Sequence, residues 1–227
     1  MDLIKQFIDL FLHLDDHLKT VITDYGTWTY LILFGIIFCE TGLVVMPILP
    51  GDSLLFAAGF FAKEGAVGDE GAPLNLFLLI GLLIVAAILG DAVNYAVGRY
   101  MGPKVLKGDG RFLKKKYLDR THAFYERYGG KTIILARFVP IVRTFAPFLA
   151  GVGTMSYAQF ASYNVIGAIL WVTSMTLCGY AFGGFPIVQE RFELFVLAIV
   201  FISILPAIVE YWRSRGHKTV ETPPTGV

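Results

Sequence analysis

Apolar and polar positions along this chain fall into helical blocks. In residues 2–21, Leu3, Phe7, Leu10, Phe11, Leu14, Leu18 and Val21 recur at helical spacing, with Asp9, Asp15, Asp16 and Lys19 on the other face. Within an N-terminal segment 1–27, this pattern predicts an amphipathic helix lying in a membrane interface. Residues 74–98 form a continuous apolar run, and 160–182 and 192–212 repeat it. Each reaches the roughly 20 residues a bilayer-spanning helix needs. The tail, 213–227, has the composition of a disordered segment.

Two other apolar segments are interrupted. Residues 28–62 contain "FCETGLVVMPILPGDSLLF" (38–56), with Glu40, Pro47, Pro50, Gly51 and Asp52. Residues 131–153 read "KTIILARFVPIVRTFAPFLAGVG", with Arg137, Pro140, Arg143 and Pro147. Prolines stop helices and free backbone polar groups, which a membrane tolerates where protein or water covers them. Both segments are therefore expected to be re-entrant hairpins.

Charge sets their direction. Residues 99–131 carry Arg99, Lys104, Lys107, Arg111, Lys114, Lys115, Lys116, Arg120, Arg127 and Lys131, which predicts a cytoplasmic loop. Residues 63–73 hold Lys63 against Glu64, Asp69 and Glu70, and belong outside. Arg213, Arg215 and Lys218 place the C-terminus in the cytoplasm. The first broken segment then enters from outside and the second from inside, each followed by a span. The expected fold is an all-α integral membrane protein. It is an inverted repeat of re-entrant helical hairpin plus transmembrane helix (28–62 with 74–98, 131–153 with 160–182), with an additional C-terminal transmembrane helix at 192–212.

Composition agrees: 56% of residues are apolar and 16% charged, against about 25% charged in soluble domains. A net charge of +1 gives no field for nucleic acid. Cys39 and Cys178 lie in apolar stretches and are expected to be buried reduced thiols. His13, His17, His122 and His217 have no metal-ligand spacing, and no nucleophile set stands out. No metal, cofactor or enzymatic activity is expected.

The candidate chemistry lies in the interrupted segments. Glu40 falls 12 residues beyond Trp28, about 18 Å along a helix and near mid-bilayer. Asp52 follows the break and is placed to cap a returning helix at Ser53. A charge at the bilayer centre costs about 2.5 to over 10 kcal/mol. Glu40 and Asp52 therefore need pairing with Arg137 and Arg143 or a wet cavity, as a substrate or proton site or as a structural ion-pair set. Asp91, Asn94, Tyr95 and Arg99, near the cytoplasmic end of a span, admit structural and functional roles equally. Asn164 is placed for a bond across helices, and Trp171 for packing. The run 114–116 suits anionic headgroups or a solvated face.

The stretches "FCETGLVVMPILPGDSLLF", "GDAVNYAVGRYMG", "GGKTIILARFVPIVRTFAPFLAGVGTMSYAQF" and "YNVIGAILWV", in this order, resemble the DedA family of bacterial inner-membrane proteins, within the VTT-domain superfamily. The resemblance covers roughly residues 25–212. It implies two facing re-entrant hairpins and movement of a lipid between leaflets. The lipid is undecaprenyl phosphate or phosphatidylethanolamine, in a process tied to proton motive force and envelope integrity. The family's essential acids match Glu40 and Asp52, and its essential arginines Arg137 and Arg143. The expected partners are thus protons and a phospholipid or polyprenyl phosphate. A proton-coupled antiporter for ions or small solutes, and a scaffold for envelope machinery, are the alternatives.

Overall fold

A computed structural model describes residues 14–43, 51–63, 74–107, 129–153, 155–192 and 194–199. Among them all regular structure is helical: α1 (Leu14–Tyr25), α2 (Trp28–Gly42), α3 (Gly51–Phe61), α4 (Leu76–Lys107), α5 (Lys131–Ala136), α6 (Pro140–Val152), α7 (Tyr157–Phe182) and α8 (Pro186–Glu190). Residues 194–199 are helical as well. Pro47, Pro50, residues 2–13, the basic stretch 108–128 with its lysine run, the C-terminal part of the third span and the tail lie outside the described residues.

Local chemistry sets the element ends. α1 stops at Gly26, whose φ of 49° suits a residue without Cβ. The Thr29 hydroxyl donates to the Val21 carbonyl at 3.1 Å and ties α2 to α1. Asn75 caps α4 by accepting the Leu78 N–H at 3.0 Å. Its own N–H donates to the Tyr30 hydroxyl at 2.6 Å. Val139 is extended, at φ −121° and ψ 104°, because the ring of Pro140 crowds a helical conformation before it. That breaks 131–153 into α5 and α6.

Two expectations change. α4 does not stop at residue 98 but runs on to Lys107, through Gly102 and Pro103. Cys39 and Cys178 are exposed: an apolar helix facing hydrocarbon turns apolar residues outward too. Leu18 and Ile22, on the apolar face of the first helix, are buried in the main apolar core.

Two helices are long and apolar enough to cross a membrane, Leu76–Gly102 and Tyr157–Phe182, with mean hydropathies of 2.7 and 1.7. Phe77, Leu78, Val85 and Leu89 on α4, and Ile166, Ile169 and Leu170 on α7, lie on the outside. α3 is the opposite case. All 11 of its residues are buried, and at about 16 Å it is half the thickness of a bilayer core. A helix apolar on every side needs cover on every side.

That cover comes from a crossed arrangement. α2 packs on α4 and α5 on α7, whereas α3 crosses to α7 and α6 crosses to α4. Both crossings are made by glycine. A Cβ on Gly59 would overlap the Thr176 carbonyl, and one on Gly179 the Phe56 carbonyl. At the other crossing Gly98 faces the Phe148 carbonyl and Gly151 the Tyr95 carbonyl. Glycines three residues apart from their exchange partners let backbones meet.

Because the obstructing atoms are backbone, they cannot rotate away. Gly59→Ala and Gly179→Ala should each destabilise the protein by about 1–3 kcal/mol. Gly35→Ala, with nothing within 4 Å of its Cβ, should be neutral or gain up to about 1 kcal/mol of helix propensity. Thermal unfolding in detergent measures all three.

Candidate functional site

Among the described residues five carboxylate and guanidinium side chains are buried: Glu40, Asp52, Asp91, Arg137 and Arg143, none more than 8% exposed. They form a polar layer between two apolar clusters. On α4, Ala87 belongs to the large cluster and Tyr95 to the small one, with Asp91 and Asn94 between them. On α7, Ala168 and Phe160 bracket Asn164 in the same way.

Arg143, in the first turn of α6, joins the two acids of the first broken segment. One terminal nitrogen donates to Glu40 Oε1, the other to Asp52 Oδ1 at 3.1 Å. Glu40, near the end of α2, also accepts the Gly51 N–H at 2.9 Å. Its carboxylate thus sits on the N-terminus of α3, where free N–H groups and the helix dipole favour an anion. A Cβ on Gly51 would fall on that carboxylate, so the glycine of the "PGD" sequence clears space for Glu40. Asp52 lies within the first turn of α3. Its Oδ1 accepts the indole N–H of Trp171 at 2.8 Å as well as the Arg143 bond.

Arg137, at the C-terminal end of α5, pairs elsewhere. It donates to Asp91 Oδ2 at 2.5 Å and to Asn164 Oδ1 at 2.5 Å. Asn164 in turn donates to the Ile88 carbonyl at 3.1 Å. The charges therefore pair as Glu40 and Asp52 with Arg143, and Asp91 with Arg137. The break at Pro140 puts the arginines on different helices, and α2 meets α6 rather than α5. The ring of Trp171 lies beside both guanidinium groups, 5.0 Å from Arg143 and 5.9 Å from Arg137. Trp171 is thus more than packing.

The remaining candidates divide. Asn94 donates to the Thr41 carbonyl at 3.1 Å and the Thr144 carbonyl at 2.8 Å, tying α2 and α6 to α4. Tyr95 stacks on Phe160 and donates to the Met155 carbonyl at 2.5 Å; it fixes the turn before α7 and makes none of the bonds of the charged layer described above. Arg99 is exposed and lies outside the buried set. The sequence signal for Trp171 was its place seven residues, about two turns, beyond Asn164 on one helix face.

The layer holds three carboxylates against two guanidinium groups. Glu40 Oε2 has no hydrogen-bond partner among the described residues. Arginines bound to carboxylate oxygens in this way are chemically equipped to bind the oxygens of another anion.

Residues 49–181 match the model of the VTT domain. The chain is 54% identical to Protein DedA of Escherichia coli over 95% of its own length and 96% of that protein. It is 46% identical to an uncharacterised membrane protein of Mycobacterium tuberculosis, over 83% of this chain and 82% of the relative. It is also 31% identical to the inner membrane protein YqjA of Escherichia coli, over 82% and 85% of the two chains. No solved structure matches it.

The observed pairing has an energetic signature. Asp91→Ala leaves Arg137 buried without its acid and should cost about 3–5 kcal/mol, whereas the double variant Asp91→Leu with Arg137→Met should recover most of the loss. In double-mutant cycles, Glu40→Gln should couple to Arg143→Gln and show little coupling to Arg137→Gln. Chemical unfolding in detergent gives each value.

Proposed function

The chain belongs to the DedA family of VTT-domain membrane proteins, and from that premise we propose that it moves a phosphate-headgroup lipid between the leaflets of the bacterial inner membrane. The names of its relatives support that location. Undecaprenyl phosphate and phosphatidylethanolamine are the candidate lipids. The protein acts as a carrier rather than an enzyme, in support of envelope integrity.

One observation carries this reading: the planar fork of Arg143 grips carboxylates from two different helices. A phosphate offers the same paired acceptors, and arginine suits it better than lysine does. Arg137 and Arg143 are the phosphate-binding residues; Glu40 and Asp52 are the acids that compete for them. With one carboxylate in excess over the arginines, the layer reaches neutrality by taking up one proton. Protonation of an acid releases Arg143 to the headgroup. Loss of the proton restores the clamp and expels the lipid, which couples transfer to the proton gradient. Asp91, Asn94 and Asn164 hold the arginines and the helix ends in place.

The topology follows the same reading. α2 with α3 and α5 with α6 are the re-entrant pairs, entering from opposite sides, and α4 and α7 are spans of an inverted repeat. Its support is the crossed packing, and "FAAG" at 56–59 against "FLAG" at 148–151, whose Phe and Gly make the equivalent backbone contacts. Residues 99–131 and the C-terminus face the cytoplasm.

Two measurements test the proposal. In vesicles, purified protein should transfer undecaprenyl phosphate or phosphatidylethanolamine. Arg137→Lys and Arg143→Lys should each lower the rate by about tenfold or more per folded molecule, because a charged hydrogen bond is lost. Movement of protons with cations but no lipid would favour an antiporter, and no movement at all a scaffold. For topology, single cysteines at positions 115 and 218, in a background with Cys39 and Cys178 replaced, should resist labelling from outside intact cells.

A further inference from the structure

Trp171 lies fully buried in α7, in contact with three of the groups assigned to transport. Its indole nitrogen is a donor and never an acceptor, so its bond to Asp52 Oδ1 at 2.8 Å fixes which way the side chain faces. The same oxygen accepts from Arg143 at 3.1 Å. Two donors sharing one oxygen each weaken the hold of the other. The face of the ring attracts the guanidinium groups, most strongly where water is excluded, and both arginines lie within 6 Å of its centre. A side chain present for volume alone would need neither the bond nor these contacts.

We infer that Trp171 is a positioning residue of the transport site. Its N–H loosens the grip of Arg143 on Asp52, its ring braces both arginines, and together these set how well an anionic headgroup competes for them. This rests on the transport reading above.

Loss of the indole N–H makes Asp52 rely more on Arg143, so the headgroup competes less well. In vesicles of graded phosphatidylethanolamine or undecaprenyl phosphate content, Trp171→Phe should raise the half-saturating lipid fraction about tenfold and leave the maximal rate within about twofold. Trp171→Leu, which also removes the ring, should lower both affinity and maximal rate. A packing role would instead leave half-saturation at the wild-type value and change thermal stability alone; that result, or a lowered half-saturation, overturns the inference.

A second readout needs no transfer. With Trp28 and Trp212 replaced by Phe, Trp171 is the sole tryptophan and its emission is excited selectively over the tyrosines. Its emission should shift on Asp52→Asn and on adding dihexanoyl phosphatidic acid, and Arg143→Lys should abolish the second shift. Emission insensitive to Asp52→Asn overturns the positioning role. If the wild-type protein moves no lipid yet both shifts occur, the transport reading fails while Trp171 still positions an anion site.

Discussion

Arg143 holds two carboxylates that arrive on different helices, and much of the surrounding architecture serves to deliver them. Glu40 comes from the end of α2 and Asp52 from the start of α3, so the chain has to stop one helix and begin the next around a single guanidinium. The N-terminus of α3 contributes its Gly51 N–H to the same carboxylate. Two charges buried without such partners would cost several kcal/mol each. With them, an acid, an arginine and a helix end satisfy one another, and removing any of the three leaves the others exposed to that cost.

The second arginine extends the same logic across the molecule. Arg137 reaches Asp91 at the middle of α4 and Asn164 on α7, and Asn94 ties the ends of both broken segments to α4. Asn94 has a short side chain, so its bonds to α2 and α6 need both helices close to α4. Glycines at the α4–α6 crossing allow that approach, as they do where α3 crosses α7.

The helices, the breaks and the four central charges were legible in the sequence because each leaves a local trace. An apolar run of sufficient length reads as a span, a proline as a break, and an ionisable residue in apolar surroundings as a group needing a partner. The partners themselves were not legible. Four charges in apolar surroundings do not say which acid meets which arginine; the crossed packing brings Glu40 to Arg143, 103 positions away. Trp171 looked like filling because nothing near it in sequence reveals the Asp52 beneath its N–H. Arg99 follows Asp91 and Asn94 by only a few residues on α4, yet it is exposed. Which face of an apolar helix is covered depends on tertiary contacts, and for the same reason both cysteines were misplaced.

The full burial of α3 also constrains how the chain is made. Its principal neighbour is α7, and its Asp52 bonds a tryptophan 119 positions further on. During synthesis α3 emerges long before that partner exists. It is too short to cross a bilayer alone, and it carries an acid whose tryptophan and arginine partners have yet to be translated. α3 therefore cannot gain its native cover until α7 has been added. A chain truncated before Tyr157 leaves α3 without its α7 cover and Asp52 without its bond to Trp171.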